Sequence, residues 1–273
     1  MENLGNRLTI LEYEFNHVVE LLINKSQERW LPGFCAPGTN QAHFNRYQWV
    51  SDFVSDKKVL DLACGSGFGS IYLANEGQAK KVLAGDYSKK TIDYCKIKHK
   101  EQLNLTFEEM DAQNFSLFER MDVIISFETI EHLKNPDLLL KNCSECLNDN
   151  GSFFVSTPVS KVPIDLKPVN PHHLIEWNIT AFRKLVQLFF DIENVFIQPN
   201  HRYYSSPLPL HKRINSKINR HLYMSDMKFI DYSIVNTKDE LTKWQKLISL
   251  NFIDAYVILQ CKKKVESNFL QDN

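Results

Sequence analysis

The sequence predicts an α/β fold with a doubly wound, mostly parallel sheet of seven strands, and three observations predict it. From residue 57 onward, short apolar runs alternate with segments of helical periodicity, the pattern of parallel strands crossed over by helices on both faces. The first run, Val59-Leu60-Asp61-Leu62, gives way at once to Ala63-Cys64-Gly65-Ser66-Gly67-Phe68-Gly69, a glycine turn leading into a helix. The 273 residues, 43% of them hydrophobic, suffice for one large domain or a domain with an appendage.

Each element has its own signal. Leu8, Leu11, Phe15, Val18, Val19 and Leu22 recur at helical spacing and predict an amphipathic N-terminal helix whose apolar face must cover something. A Pro/Gly-rich loop over 31–39 follows, then a second helix over 41–53. Strands are predicted near 58–62, 81–86, 105–110, 121–127, 151–157 and 192–198, with helices near 68–76, 88–102, 136–147 and 179–190. Asn135-Pro136-Asp137 starts the helix at 136, and Asn150-Gly151 marks the turn into the fifth strand. Residues 199–250 break the rhythm with Pro199, Pro207 and Pro209, and 251–260 return to a strand pattern. The organisation read from this is an N-terminal helical cover (1–56), an α/β core (57–198), an insertion or cap (199–250), a last strand (251–264) and a tail (265–273), with no internal repeat.

The glycine turn is built for a cofactor, since its backbone can approach a ligand closely and the following helix presents unpaired N–H groups. It does not fit the dinucleotide fingerprint, whose third glycine falls where Ser70 stands. Asp61, four residues before Gly65, would repel a pyrophosphate and suits a cationic ligand such as a sulfonium or an aminoacyl group. A second apolar strand, Lys81-Val82-Leu83-Ala84-Gly85-Asp86, ends in an acid placed for ribose hydroxyls. Two acids so placed fit a nucleoside joined to a zwitterion.

These residues resemble motif I and the acidic loop of class I S-adenosylmethionine-dependent methyltransferases. The resemblance continues, in order, through Met110-Asp111-Ala112 and Asp122-Val123-Ile124-Ile125-Ser126-Phe127-Glu128, and so covers residues 57–157. It implies a Rossmann-like sheet whose last strand is antiparallel at the sheet edge, and S-adenosylmethionine as cofactor. It further implies that Asp61 and the backbone around Ala63, Gly65 and Gly67 hold the methionine end, and that Asp86 takes the ribose unless it merely caps the helix near Ser88. Tyr87 would cover the adenine, Asp111 accept from its amino group, Ala112 meet its ring, and Phe127 line the site from the fourth strand. Before the first strand, His43, Arg46 and Tyr47 fall on one helix face. With Glu28-Arg29 they resemble the lead-in of methyltransferases of glycan biosynthesis, in which an Arg-Tyr pair closes over the cofactor and the guanidinium suits the methionine carboxylate; the alternative is a solvated Arg beside a core Tyr.

Two further clusters carry acceptor chemistry. Glu128, Glu131 and His132 stand at i, i+3 and i+4 after the fourth strand, so one helical turn would aim all three at the active-site mouth. Asn170-Pro171-His172-His173-Leu174-Ile175-Glu176-Trp177 adds histidines after the fifth strand. The E-x-x-E-H pattern is similar to that of ubiquinone-type O-methyltransferases. With His173-x-x-Glu176-Trp177 it is also similar to metal-dependent enzymes that methylate the terminal 2′-hydroxyl of small RNAs. The Asn-Pro-x-His-x-x-Glu version looks like sugar and small-molecule methyltransferases, which need no metal. Glu128, Glu131, His132 and His173 are therefore the candidate ligands of a divalent ion such as Mg²⁺. Without one, His173, ahead of His132, is the candidate base, and Glu128 or Glu131 its orienter.

Composition narrows the partners. A net charge of −1 gives no global pull toward nucleic acid, and only the basic, aromatic stretch 202–223 offers a concentrated positive face; a solvated amphipathic helix is its plainer reading. No apolar run reaches the roughly 20 residues that span a bilayer, no leader pattern opens the chain, and the six cysteines are scattered, which together predict a reduced, soluble, cytoplasmic protein. Cys143 and Cys146 read as small apolar residues on one helix face. The expected activity is transfer of a methyl group from S-adenosylmethionine to a hydroxyl oxygen of a sugar, a glycan or another small metabolite. The alternatives are a metal-dependent RNA 2′-O-methyltransferase and a non-catalytic methyltransferase-like binding protein. Oligomeric state is left open.

Overall fold

The computed structural model describes residues 4–24, 30–35, 37–159, 168, 170–200, 233–249 and 254–264. In chain order the elements are α1 (Leu4–Asn24), α2 (Pro37–Ser51), β1 (Lys58–Leu62), α3 (Phe68–Asn75), β2 (Lys81–Asp86), α4 (Lys89–Lys98), β3 (Leu105–Glu109) and β4 (Met121–Phe127). Then come α5 (Pro136–Cys146), β5 (Leu147–Pro158), α6 (Ile179–Val186), β6 (Phe190–Asn200), β7 (Val235–Asn236), α7 (Leu241–Ser249) and β8 (Asp254–Lys263). They form one sheet of order β3-β2-β1-β4-β5-β8-β6-β7. β1 to β5 are parallel, and β8 is antiparallel to both β5 and β6.

Two differences from the sequence reading concern this far side of the sheet. The last strand does not lie at the edge: β8 is inserted between β5 and β6, because its apolar core Val257-Ile258-Leu259 is buried on both faces. The edge is the two-residue strand β7, which makes the described strands eight rather than seven and sits in the interval read as a cap. In that interval α7 packs Trp244 and Ile248 into the core, while 201–232, including the basic stretch, lies outside the described residues. β5 also begins earlier than Asn150-Gly151: Leu147 already pairs with Met121, and the register then shifts before Ser152 meets Val123.

Strand alternation sorts the core into two layers. Leu60 and Leu62 of β1, with Phe153 and Val155 of β5, face α5, α6 and α7; Cys143 and Cys146 of α5 lie buried in this layer. Val59, Ile125 and Phe154 face the other way, toward α2, α3 and α4. Each fully buried Leu or Phe contributes about 1.5–3 kcal/mol by leaving water. The same alternation turns Asp61 toward α2 and α3, beside Val59 rather than beside Leu60. Since β1 has β2 on one side and β4 on the other, chain order reverses at β1/β4 and opens a crevice at the carboxyl ends of these strands.

Candidate active site

At the tip of β1 the buried Asp61 carboxylate accepts hydrogen bonds from Tyr47 Oη (3.0 and 3.3 Å) and Ser70 Oγ (2.6 Å). Burial pushes its pKa up to about 6, against these two hydroxyls, which favour the ionised form; the Asp86 charge adds to the rise. Ala63, Gly65 and Gly67 then take positive φ of 61°, 55° and 77°. A Cβ on Gly67 would meet the Phe107 ring at 2.8 Å, so that position needs glycine for space as well as for angle. Gly69 has a different reason: a Cβ there would overlap the Tyr47 ring at 2.1 Å. Its absence lets α2 lie close on α3 and brings the Tyr47 hydroxyl to Asp61. The near-miss of the dinucleotide spacing was the signal for this close approach, although the sequence reading gave Gly69 no role.

Asp86 closes the turn. Its carboxylate accepts the Gly65 N–H at 3.0 Å and the Ser88 N–H at 2.9 Å. The cap of α4 is Ser88, whose Oγ accepts from the Thr91 N–H, so Asp86 is not the cap. A carboxylate offers about four acceptor positions, and the two used here leave room for ribose hydroxyls. Tyr87, next along, is 75% exposed, whereas Ala112 is buried and Asp111 accepts the Gln113 N–H at 2.9 Å. Phe127, ending β4, meets the Tyr47 ring edge to face at 5.6 Å.

Helix α2 spans the strand ends. Arg46 is fully buried, which removes the solvated alternative. Its Nη1 donates to Gln198 Oε1 of β6 at 2.6 Å, its Nη2 lies 3.1 Å from His43 Nδ1, and its guanidinium sits 4.6 Å from the Tyr256 ring centroid. Burial, with the Arg46 charge beside it, holds the His43 pKa well below the usual imidazole range, so the ring is neutral and accepts. Arg46 Nε is buried without a hydrogen-bond partner. Trp30 stacks on both His43 and Tyr47, at 5.5 and 5.8 Å.

Beyond β4 the single helical turn is instead a 3-10 turn over Ile130–His132, and it separates the three residues expected to share one direction. Glu128 takes φ 53°, a left-handed conformation that costs a non-glycine residue of order 1–3 kcal/mol. Its carboxylate accepts from Ser156 Oγ at 2.7 Å. Glu131 turns inward and is fully buried; one oxygen accepts from Thr157 Oγ1 at 3.2 Å and the other, Oε1, has no hydrogen-bond partner. Burial, followed by the nearby Glu128 charge, raises its pKa well above the carboxylate range. The Glu131 carbonyl accepts the Leu174 N–H at 2.8 Å, which docks the 170–177 loop here.

That loop brings the two histidines together. The His132 and His173 rings meet edge to face at 5.0 Å. His173 Nδ1 lies 2.7 Å from Glu176 Oε1 and its Nε2 lies 2.9 Å from Asn170 Nδ2. His132 Nδ1 lies 3.0 Å from the His172 carbonyl. Ligand atoms of Glu131, His132 and His173 all fall within 4.8 Å of one another; Glu128, the fourth expected ligand, is outside this group and faces Ser156. Glu176 acts on His173 where Glu128 and Glu131 were the expected orienters, and its i+3 spacing from His173 was the available signal.

A glycine turn between two acids on a doubly wound sheet defines a nucleoside-cofactor domain of the class I methyltransferase fold. The profile of the methyltransferase-domain family matches residues 53–203, more than half of the chain, and the chain belongs to that family. A probable S-adenosylmethionine-dependent methyltransferase of Mycolicibacterium smegmatis is 27% identical over 177 residues, 61% of this chain and 65% of that protein. The ubiquinone biosynthesis O-methyltransferase of Coxiella burnetii is 36% identical over 103 residues, 37% of this chain and 43% of that one. The chain thus spans less than two thirds of the length of these relatives. Among solved structures, the [4+2]-cyclase SpnF superposes with a TM-score of 0.60 at 12% identity, covering 97% of both chains, a likeness of fold alone. Among the described residues no helix is long and apolar enough to cross a membrane.

Proposed function

We propose that this chain transfers the methyl group of S-adenosylmethionine to a hydroxyl oxygen of a sugar, a glycan or another small metabolite. The observation that carries this reading is Asp61: a buried carboxyl that, among the described residues, is hydrogen-bonded by two neutral hydroxyl donors, with a pKa of about 6, at the tip of the strand that opens the glycine turn. Such a group gains most from a cation delivered with its ligand, and the cofactor's methionine end is one. In this reading Asp61 and the Ala63–Gly67 backbone hold the methionine end, Arg46 its carboxylate, Asp86 the ribose, and Tyr87, Asp111, Ala112 and Phe127 the adenine side. Tyr47 acts through Asp61.

A methyl sulfonium is already electrophilic, so the protein must align the acceptor oxygen with the methyl carbon and sulfur and take one proton. The oxygen–carbon bond forms as the carbon–sulfur bond breaks, S-adenosylhomocysteine leaves, and the hydroxyl proton passes to His173 Nε2. Glu176 on Nδ1 fixes the tautomer and stabilises the imidazolium. The Asn170 amide occupies the position, 2.9 Å from Nε2, that the acceptor hydroxyl takes over. The Coxiella relative named for O-methylation supports oxygen as the acceptor atom.

A second reading rests on the grouping of Glu131, His132 and His173 and on the unpartnered Glu131 oxygen. One carboxylate and two imidazoles suit a divalent transition ion or Mg²⁺, which would lower the pKa of an acceptor hydroxyl. Calorimetric titration with S-adenosylmethionine and S-adenosylhomocysteine tests the cofactor: failure of both to bind at millimolar excess removes the main reading. Activity lost with EDTA and restored by Mg²⁺, Mn²⁺ or Co²⁺ favours the metal reading, and with it RNA becomes an acceptor to assay.

A further inference from the structure

Helix α1 carries two faces, only one of which packs against the other described residues of this chain. On the inner face Tyr13 stacks on Tyr94 of α4 at 4.2 Å, Glu14 Oε1 accepts from Lys98 Nζ at 2.9 Å, and His17 is buried. On the other face Leu4, Leu8, Leu11 and Phe15 are 70%, 58%, 60% and 67% exposed. Steps of four, three and four residues keep them within a narrow arc at about 100° per residue. These four large side chains expose on the order of 400–500 Å² of apolar surface, at the upper end for one patch on a monomer and more than half of the roughly 800 Å² that each partner buries in a stable complex.

We propose that this stripe is the seam of a homodimer, in which α1 of one protomer packs parallel against α1 of a second copy. Three features select this occupant. Alternating four- and three-residue steps are the 3.5-residue repeat of helices packing knobs into holes, with Leu4 and Leu11 at one core position and Leu8 and Phe15 at the other. The sequence keeps the same spacing at Val18 and Leu22. The exposed flanking residues are Arg7 on one side of the stripe and Glu12 on the other, five positions apart. In a parallel pair that spacing sets Arg7 of each copy against the partner subunit's Glu12, twice by symmetry; in an antiparallel pair like flanks would face each other. A membrane surface fits the charge poorly, since α1 bears Arg7 against Glu12, Glu14 and Glu20, the reverse of the basic flanks of interfacial helices.

The test is sedimentation velocity of the full chain from 1 to 100 μM, read with cofactor titration of each variant. The wild type is expected to sediment at twice the 31.9 kDa chain mass. L8E/L11E is expected to be a monomer, with dimer association weakened at least 100-fold and cofactor affinity unchanged, which separates loss of the seam from loss of the fold. R7E, which sets like charges together twice, should weaken the dimer about three- to tenfold, and R7E/E12R should restore it. A monomer at 100 μM, a dimer indifferent to L8E/L11E, or no rescue by R7E/E12R overturns the proposal. So does a wild-type monomer that floats with phosphatidylcholine–phosphatidylglycerol vesicles, which would assign the stripe to lipid. None of these outcomes touches the methyl-transfer reading, which stands or falls on cofactor binding.

Discussion

Asp61 near the end of β1 and Glu131 after the neighbouring β4 are both fully buried carboxyls with raised pKa values, yet the fold treats them differently. Asp61 is given two hydroxyl donors, which hold its pKa to about 6. Glu131 is given one, from Thr157, and a second carboxylate nearby, and its pKa rises much further. An unmade hydrogen bond on a buried oxygen costs about 1–3 kcal/mol, and Glu131 Oε1 carries that deficit where Asp61 does not. With a pKa of about 6 the first acid suits a cationic ligand; in the second, burial favours the protonated form. In the proposed reading the cofactor half of the crevice is therefore organised around a charge, and the acceptor half around two imidazoles and a carboxyl whose neutral form burial favours.

The largest effect that would break this division lies in the acceptor half. His173→Ala should lower kcat about 10²- to 10⁴-fold with cofactor affinity unchanged, and Glu176→Gln should lower it less. Near wild-type turnover in His173→Ala under single-turnover conditions would transfer base catalysis to His132 or to a bound metal ion.

Asp61→Asn addresses the other half and has two readouts of opposite sign. Cofactor affinity should fall about 100-fold, as expected when a desolvated charge loses its partner, yet the ligand-free protein should become more stable at pH 7. The folded state keeps the Asp61 proton up to about pH 6, while the unfolded chain releases it near 3.8. Folding takes up a proton between those values, so the contribution of Asp61 to stability is fully present below pH 4 and is lost as pH rises through 6, by about 3 kcal/mol at 1.36 kcal/mol per unit. Thermal melts from pH 4 to 8 should show this loss in the wild type and a flatter profile in Asp61→Asn. Equal slopes would mean that Asp61 ionises freely in the folded protein.

How much of each half could be read in advance follows the same line. Asp61, Gly65, Gly67 and Asp86 declare themselves because a strand tip, two left-handed backbone positions and a second strand tip are local features with fixed spacing. Glu131 did not: its i+3 spacing from Glu128 assumed an α-helical turn, and the tighter 3-10 turn sends it into the core instead. Two partners of Arg46 lie 152 and about 210 residues away, on β6 and β8, so its burial depends on pairings that only the folded sheet supplies. The place of β8 between β5 and β6 is likewise non-local. Alternation gave its two-sided apolar pattern but not its neighbours.

Arg46→Ala sharpens the comparison with a smaller effect. Calorimetry should find S-adenosylmethionine binding weakened at least tenfold, because a buried guanidinium with an unsatisfied Nε is removed from beside the proposed carboxylate site. Unchanged affinity would leave Arg46 as the tie between α2 and β6 through Gln198, with loss of melting temperature as its only signature.

The smallest effect is expected from Glu131→Gln, and its size decides between the two readings of the acceptor half. Burial favours the protonated form of Glu131, and glutamine keeps that form's volume and lack of charge and can still accept from Thr157 Oγ1. Turnover should change by less than about twofold if Glu131 takes no part in proton transfer. A metal ligand behaves otherwise. An ion bound by Glu131, His132 and His173 would have to expel the Glu131 proton, so its affinity would rise with pH and collapse in Glu131→Gln. A large loss of activity in this variant, sensitive to EDTA in the wild type, would show that the acceptor half, like the cofactor half, is organised around a charge.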